Sequence, residues 1–454
     1  LFRSPLVPFL LVACDPGERG PSAQNEESGD GSQQAQPDPA DPTGDENGDQ
    51  GTDQTVADRA RSVAARGAQQ LLDLYVAEGA PQDDAARGGW GPGQPFYGMT
   101  GMALNGLLRS AAPVSPSENE AVRETIEWLP TVQADDGAWV AQSAVYETSV
   151  VVRALIAAAR LDDDLRNNPR IRQAILDGRD YLLLTQVDEN PENDVDIVVQ
   201  NAADEEWGAF YGGWGYGRIG RRDNDALANM STTNLAFEAI HESVDIVGDD
   251  EGRVAAARER LVNFLQRNQN RRESNPGAIL TQQEGDPERT QAGTDGGGVY
   301  SPGVSKAGYL EGEGDLMIPR SYGSMTYALL RLYSMAGLEP NDPKVVAAFN
   351  WIRDNWTVEE NPGFVNTEEQ PLASLQGYFY YLYTGAYSLH QRGITTITIP
   401  ETGEEIDWRE AYLDQLEQLQ LPSGGFRNDQ DRWMESVPLI ATAYALVATG
   451  YVAD

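Results

Sequence analysis

The sequence predicts an all-α fold in which six helical hairpins close into a ring. Three observations lead there. Helical stretches recur in pairs between residues 55 and 454, and no segment shows the alternation of a half-buried strand. Each pair is joined by a loop that carries glycine and then an aromatic residue. The first helix of a pair is charged and arginine-bearing, while the second is rich in apolar and small residues. That is the division expected of outer and inner helices.

Taken in order, helix 56–77 leads to Gly88-Gly89-Trp90 and helix 97–109. Helix 120–132 carries Val122, Ile126 and Leu129 on one stripe and leads through Asp135-Asp136-Gly137 and Trp139 to helix 144–160. Gly137 supplies the positive φ that such a turn needs. Helix 170–186 leads to Gly212-Gly213-Trp214 and helix 229–245, and helix 252–269 to Gly298-Val299-Tyr300 and helix 321–336. Helix 343–356 leads less regularly to Gly363-Phe364 and helix 375–391; helix 408–420 leads to Gly424-Gly425-Phe426 and helix 434–449. Runs such as Val150-Val151-Val152 and Leu439-Ile440-Ala441 mark the inner members. An open solenoid is the alternative, but no repeat reads as a polar end cap.

Composition narrows the function classes. The chain has 454 residues, 40 % hydrophobic, enough for a sizeable core. Its formal net charge of −38 would be repelled by phosphate backbones, which excludes nucleic acid as a partner. With one Cys and two His, no internal disulfide can form and a His/Cys zinc site lacks ligands. No metal and no cofactor is expected.

The first 54 residues stand apart from the repeats. Residues 1–14 hold Arg3, a short apolar run from Leu6 to Ala13, and Cys14. The run is too short to span a bilayer, which takes about 20 residues, and fits the hydrophobic part of a signal peptide. Leu11-Val12-Ala13-Cys14 resembles a bacterial lipobox, with Cys14 as the lipidated residue. Residues 15–54 carry eleven acids against Arg19 alone and should form a disordered tether. Removing Arg3 and the tether's net −10 from −38 leaves −29 on the body, 55–454. The expected location is the cell envelope, lipid-anchored and facing the periplasm or exterior, with an ordinary secreted protein as the alternative.

Gln133-Ala-Asp-Asp-Gly137-Ala-Trp139 and Gln420-Leu-Pro-Ser-Gly424-Gly-Phe426 resemble the Gln-x-x-x-Gly-x-Trp repeat of squalene cyclases and protein prenyltransferase β-subunits. The resemblance spans roughly 55–454 and implies an (α/α)6 toroid with a deep central cavity. In that family the glutamine caps a helix end and the aromatic packs between hairpins. Its catalytic signatures are missing here. Asp162-Asp163-Asp164-Leu165 and Asp194-Val195-Asp196-Ile197 do not match the Asp-x-Asp-Asp acid of the cyclases. The prenyltransferase zinc ligands and the complement-like thioester both need a cysteine that the body lacks. Fold alone therefore assigns no activity.

In such a ring the helix N-termini of the inner layer surround one mouth, where unpaired N–H groups favour anions. Glu147, Tyr322, Asp431 and Glu435 are the candidate catalytic residues at that mouth. Trp90, Trp139, Tyr146, Trp214, Tyr216, Arg218, Arg320, Arg432 and Trp433 are the candidate ligand-binding residues. Each helix start also has a purely structural explanation in N-capping. His241 and His390 fall near the far ends of inner helices and read as packing or surface residues.

Two functions follow as expectations. One is an envelope protein whose toroid binds an apolar or glycan ligand, or a partner, at an aromatic-lined cavity. The other is an enzyme on the same frame, either a non-standard isoprenoid cyclase or transferase or a carboxylate-using polysaccharide lyase or hydrolase. An apolar pocket would favour the lipid, and an open carboxylate-lined groove the glycan. If Cys14 is lipidated, Cys14→Ser moves the protein from the detergent phase to the aqueous phase; unchanged partitioning refutes the anchor.

Overall fold

The computed structural model describes residues 55–78, 87–92, 95–188, 209–217, 228–249, 252–281 and 285–454. Cys14, the tether and Arg218 lie outside the described residues. The helices come in the expected pairs: α1 (Val56–Asp73) with α2 (Tyr97–Arg109), α3 (Glu120–Trp128) with α4 (Ala144–Leu161), and, after the short α5 (Asp163–Asn167), α6 (Pro169–Leu184) with α7 (Met230–Val247). Then follow α8 (Arg253–Arg267) with α9 (Gly323–Met335), α10 (Pro343–Asp354) with α11 (Tyr378–Gln391), and α12 (Trp408–Leu419) with α13 (Pro438–Ala453).

The second members pack side by side in the cyclic order α2, α4, α7, α9, α11, α13, and α13 packs again on α2. The inner layer is thus a closed ring, and α1, α3, α6, α8, α10 and α12 surround it. The fold is an α/α toroid, with its apolar core between the two layers.

Several boundaries shift for local reasons. α3 gives way at Pro130 to a 3₁₀ turn. α11 starts only after Gly377, which sits in the left-handed region. α13 cannot start at Met434, because Trp433 and Met434 have φ of 60° and 63°; Pro438 at its first turn sets the start instead. The loops also hold short strands that no alternation announced. β1 (Val76–Glu78) pairs with β2 (Arg87–Gly89), which ends α1 early. β3 (Ala278–Leu280), β4 (Arg289–Gln291), β5 (Tyr309–Glu311) and β6 (Met317–Pro319) form a sheet in the order β3-β4-β6-β5, and β7 (Thr396–Thr398) pairs with β8 (Glu405–Asp407). At three residues each, these strands pin loops rather than form a layer.

One joint recurs around the ring. At the end of α3, the Gln133 amide donates to Gly137 O in its own loop (2.7 Å) and to Ala174 O on the next outer helix, α6 (3.0 Å). Gln186 does the same to Gly212 O and Ala257 O on α8, and Gln269 to Gly296 O and Lys344 O on α10. Gln420, after α12, donates to Gly424 O and to Val63 O on α1, bridging the last hairpin to the first. The glycine in each joint touches the next outer helix. At Gly137 φ is +91°, and a Cβ would sit 2.3 Å from Asp177 O; at Gly424 φ is +89°, and the distance to Arg66 O would be 2.5 Å. Only glycine fits there.

A second clamp ties five of the six loops to their inner helices. The backbone N–H groups of Trp90, Trp139, Trp214, Gly298 and Phe426 donate to the hydroxyls of Thr100, Thr148, Thr233, Thr326 and Thr442. Among the described residues, no helix is long and apolar enough to cross a membrane.

Gln269 is buried and also accepts from Tyr333 OH, whereas Gln420 is half-buried. Gln269→Leu strands two buried partners and one half-buried partner and is expected to cost about 3 kcal/mol, against about 1 kcal/mol for Gln420→Leu. Urea unfolding should show that ranking, with a single transition in both variants.

Candidate functional site

The inner helices should be apolar all round, yet several carry charges in mid-run: Arg153 within Val150–Ala159, Glu238 within Leu235–Ile240, and Arg331 within Ala328–Tyr333. All three are buried and meet on the ring axis. Arg153 Nη1 lies 2.5 Å from Glu238 Oε2, and Arg331 Nη2 pairs with the other oxygen of Glu238. Tyr383 OH accepts from Arg153 (2.7 Å) and donates to Glu238 (2.8 Å). The Arg331 guanidinium lies over the Tyr387 ring, 4.4 Å from its centroid, which offers its remaining N–H groups a π face.

One turn further along α7, Glu242 is held by Arg109 (2.5 Å), Arg153 (3.3 Å) and Arg160 (3.4 Å). Burial alone would raise the Glu242 pKa, but the facing arginines outweigh it and hold the carboxyl well below the usual range. Asn234, Glu238 and Glu242 thus form a polar spine about 12 Å long down the axis. A carboxylate buried without its arginines would be very costly, so this core is either fully paired or unfolded.

Above the spine, where the inner helices start, tyrosines gather. Asn234 Nδ2 donates to Tyr380 OH (3.3 Å), and the Tyr380 ring packs edge-on against Tyr444. Tyr146 and Tyr444 share a hydrogen bond of 3.1 Å, and Tyr216 and Tyr300 one of 2.8 Å. Tyr322 is buried between Phe364 and this group, and burial keeps its phenol neutral well above the ordinary pKa. Tyr146, Tyr216, Tyr380 and Tyr444 are each half-buried.

The other expected site residues are placed as follows. Trp90, Trp139 and Trp214 are fully buried and donate their indole N–H to Leu71 O, Leu129 O and Leu182 O, joining the layers. Arg320 is half-buried just after β6. Arg432 bonds Gln376 and stacks on Trp433, and Asp431 accepts from Ser436. Trp433, in its left-handed conformation, packs against Gly377 and Phe364. A non-glycine pair at positive φ is strained backbone, here at the rim of the tyrosine group.

Glu147 and Glu435 are both buried and both tie down backbone. Glu147 accepts from the N–H groups of Ala141 and Gln142 in the loop before α4. Glu435 accepts from Tyr380 N (2.9 Å) and Phe379 N (3.1 Å) at the start of α11, and from Asn428 Nδ2 (2.8 Å). Burial pushes Glu435 up to about 7, despite those donors favouring the charged form. The structure brings Tyr146, Tyr216, Tyr322, Arg432, Trp433 and Glu435 to one end of the ring. It leaves the three tryptophans in the scaffold.

His241 stacks on Phe237 and His390 packs against Tyr451. Both histidines line a cavity of about 520 Å³ at the opposite end, with Arg109, Arg160, Glu242 and Tyr451. Among the described residues, no cluster of side chains has the makings of a metal site.

The Glu435 pKa has a consequence for stability. Its folded value, about 7, lies above the ordinary 4.5, so the folded state holds the proton more tightly. The stabilisation is complete below about pH 4.5 and is lost as the pH rises to 7, up to about 3 kcal/mol in all. Subtracting the pH profile of Glu435→Gln from that of the wild type isolates this slope. A flat difference between pH 4.5 and 7 refutes the raised value.

No protein-family model matches the sequence, and no curated protein matches it. Solved structures do. The type II terpene cyclase MstE from Scytonema is 12 % identical, with 87 % of this chain and 98 % of that one covered and a TM-score of 0.44. An unsaturated glucuronyl hydrolase mutant from Streptococcus agalactiae is 10 % identical over 88 % and 93 % of the two chains, with a TM-score of 0.44. A Paenibacillus xanthan lyase is 13 % identical over 88 % of this chain and 31 % of its own, with a TM-score of 0.40. The assignment as an α/α toroid rests on the closed ring of inner helices.

Proposed function

We propose that this chain is a lipid-anchored cell-envelope protein whose toroid binds a hydroxyl-rich, saccharide-class ligand at its tyrosine-lined end. The observation that carries the reading is the set of half-buried tyrosines, Tyr146, Tyr216, Tyr380 and Tyr444, above a floor of paired charges. Tyrosine faces stack on sugar rings while their hydroxyls exchange hydrogen bonds with sugar hydroxyls. The same tyrosine hydroxyls argue against an isoprenoid, whose apolar chain would cover them without returning a hydrogen bond. Arg432 and Trp433 extend the rim and suit a sugar that bears an acidic group.

An enzyme on the same frame is the second reading. It is favoured by Glu435, whose pKa of about 7 suits a proton donor at neutral pH. Its hydrogen bonds to the start of α11 favour the scaffold role instead.

The test is calorimetric titration of the full chain with neutral and acidic oligosaccharides, together with mass spectrometry of co-purifying material. Tyr444→Ala and Trp433→Ala should each weaken saccharide binding roughly tenfold or more without lowering the melting temperature in proportion. Recovery of a tightly held isoprenoid or acyl lipid from the ring would overturn the reading.

A further inference from the structure

The cavity of about 520 Å³ lies at the end where the inner helices finish, on the far side of the charged spine from the tyrosines. Its size falls within the range of small-molecule sites. Three of its lining residues each carry a buried polar atom without a partner: His241 Nδ1, Arg258 Nε and Gln391 Oε1.

The lining charges separate into those already used and one that is not. Arg109, Arg160 and His390 occupy the last turns of α2, α4 and α11, where a basic group offsets the negative end of its own helix. Arg109 and Arg160 are in addition committed to Glu242, and Arg160 to Asp245. Asp245 is shared with Arg166 as well. Arg258 differs from all of these. It comes from the middle of the outer helix α8 and takes part in none of the ion pairs among the described residues. It faces His241 closely enough to help lower that imidazole's pKa, after burial itself.

We propose that this cavity is a second binding site, for a small hydroxycarboxylate. The ligand's carboxylate takes the Arg258 guanidinium and an N–H of His241, and a ligand hydroxyl donates to Gln391 Oε1. Each of the three orphaned atoms gains a partner of matching sense, and the surplus positive charge is neutralised. A cation would face Arg258 unpaired, and an apolar ligand would leave all three atoms unsatisfied.

The experiment is calorimetric titration of the full chain with D-gluconate and with L-lactate, using D-glucitol as the uncharged control. Both acids should bind saturably, D-gluconate at least tenfold more tightly than D-glucitol. Arg258→Gln breaks no ion pair and should remove that preference at an unchanged melting temperature, while Gln391→Leu should weaken D-gluconate more than L-lactate. Tyr444→Ala, at the other end of the ring, should leave both affinities unchanged. The proposal is overturned if neither acid outbinds D-glucitol, or if Arg258→Gln binds them as the wild type does. It is equally overturned if Tyr444→Ala abolishes acid binding, which would place the acid at the tyrosine end.

Discussion

A side-chain amide that donates to two carbonyls, one in its own loop and one on the neighbouring outer helix, sets the geometry of the ring. The last turn of a helix leaves carbonyls without partners. A glutamine placed just past that turn reaches the loop carbonyl of its glycine and binds the next hairpin with its second N–H. The glycine at positive φ is what brings the loop close enough. Neither works without the other: a Cβ at Gly137 would push the loop off α6, and without Gln133 the loop carbonyl and Ala174 O would both lose a donor. The positions of α4, α7, α9 and α13, and of whatever side chains they turn towards the axis, follow from these joints through the threonine clamps.

The axis itself is not an oily channel. Arg109, Arg153, Arg331, Glu238 and Glu242 are drawn from four of the inner helices and are buried or nearly so. Such a group adds little to stability compared with apolar residues of the same shape, but it penalises any packing that leaves one charge alone. It therefore favours one arrangement of the inner helices over others. It also separates the two ends of the ring chemically, with half-buried phenols on one side and an arginine- and histidine-lined cavity on the other.

Much of the frame was legible because helical amphipathicity and the Gly-aromatic loops are local signals. The copies at Gln133 and Gln420 stand four residues from their glycines. The copies at Gln186 and Gln269 were missed because insertions place their glycines 26 and 27 residues away. The site was less legible. Attention to helix N-termini found Tyr146, Tyr322, Arg432 and Glu435, whose convergence depends on ring closure, but passed over Tyr444. It also passed over Arg153, Glu238 and Arg331. Their signal was present, since a charge inside an apolar helix has to meet a partner, but the partners lie on other helices and no local spacing names them. His241 and His390 lie at the end of the ring that the helix N-termini do not reach, where no local sequence signal marks a cavity.

The bridge from Gln420 to Val63 has the same form as those inside the chain, although α12 and α1 are joined by no loop. The seam between the last and first hairpins is therefore held as the other glutamine seams are, by packing and hydrogen bonds rather than by covalent connection. A chain rewired so that α13 runs on into α1, and cut instead at the loop between α9 and α10, would present the same six-membered inner layer and the same two ends. The order in which the hairpins are strung together is, for this architecture, a matter of ancestry and of folding route more than of the finished shape.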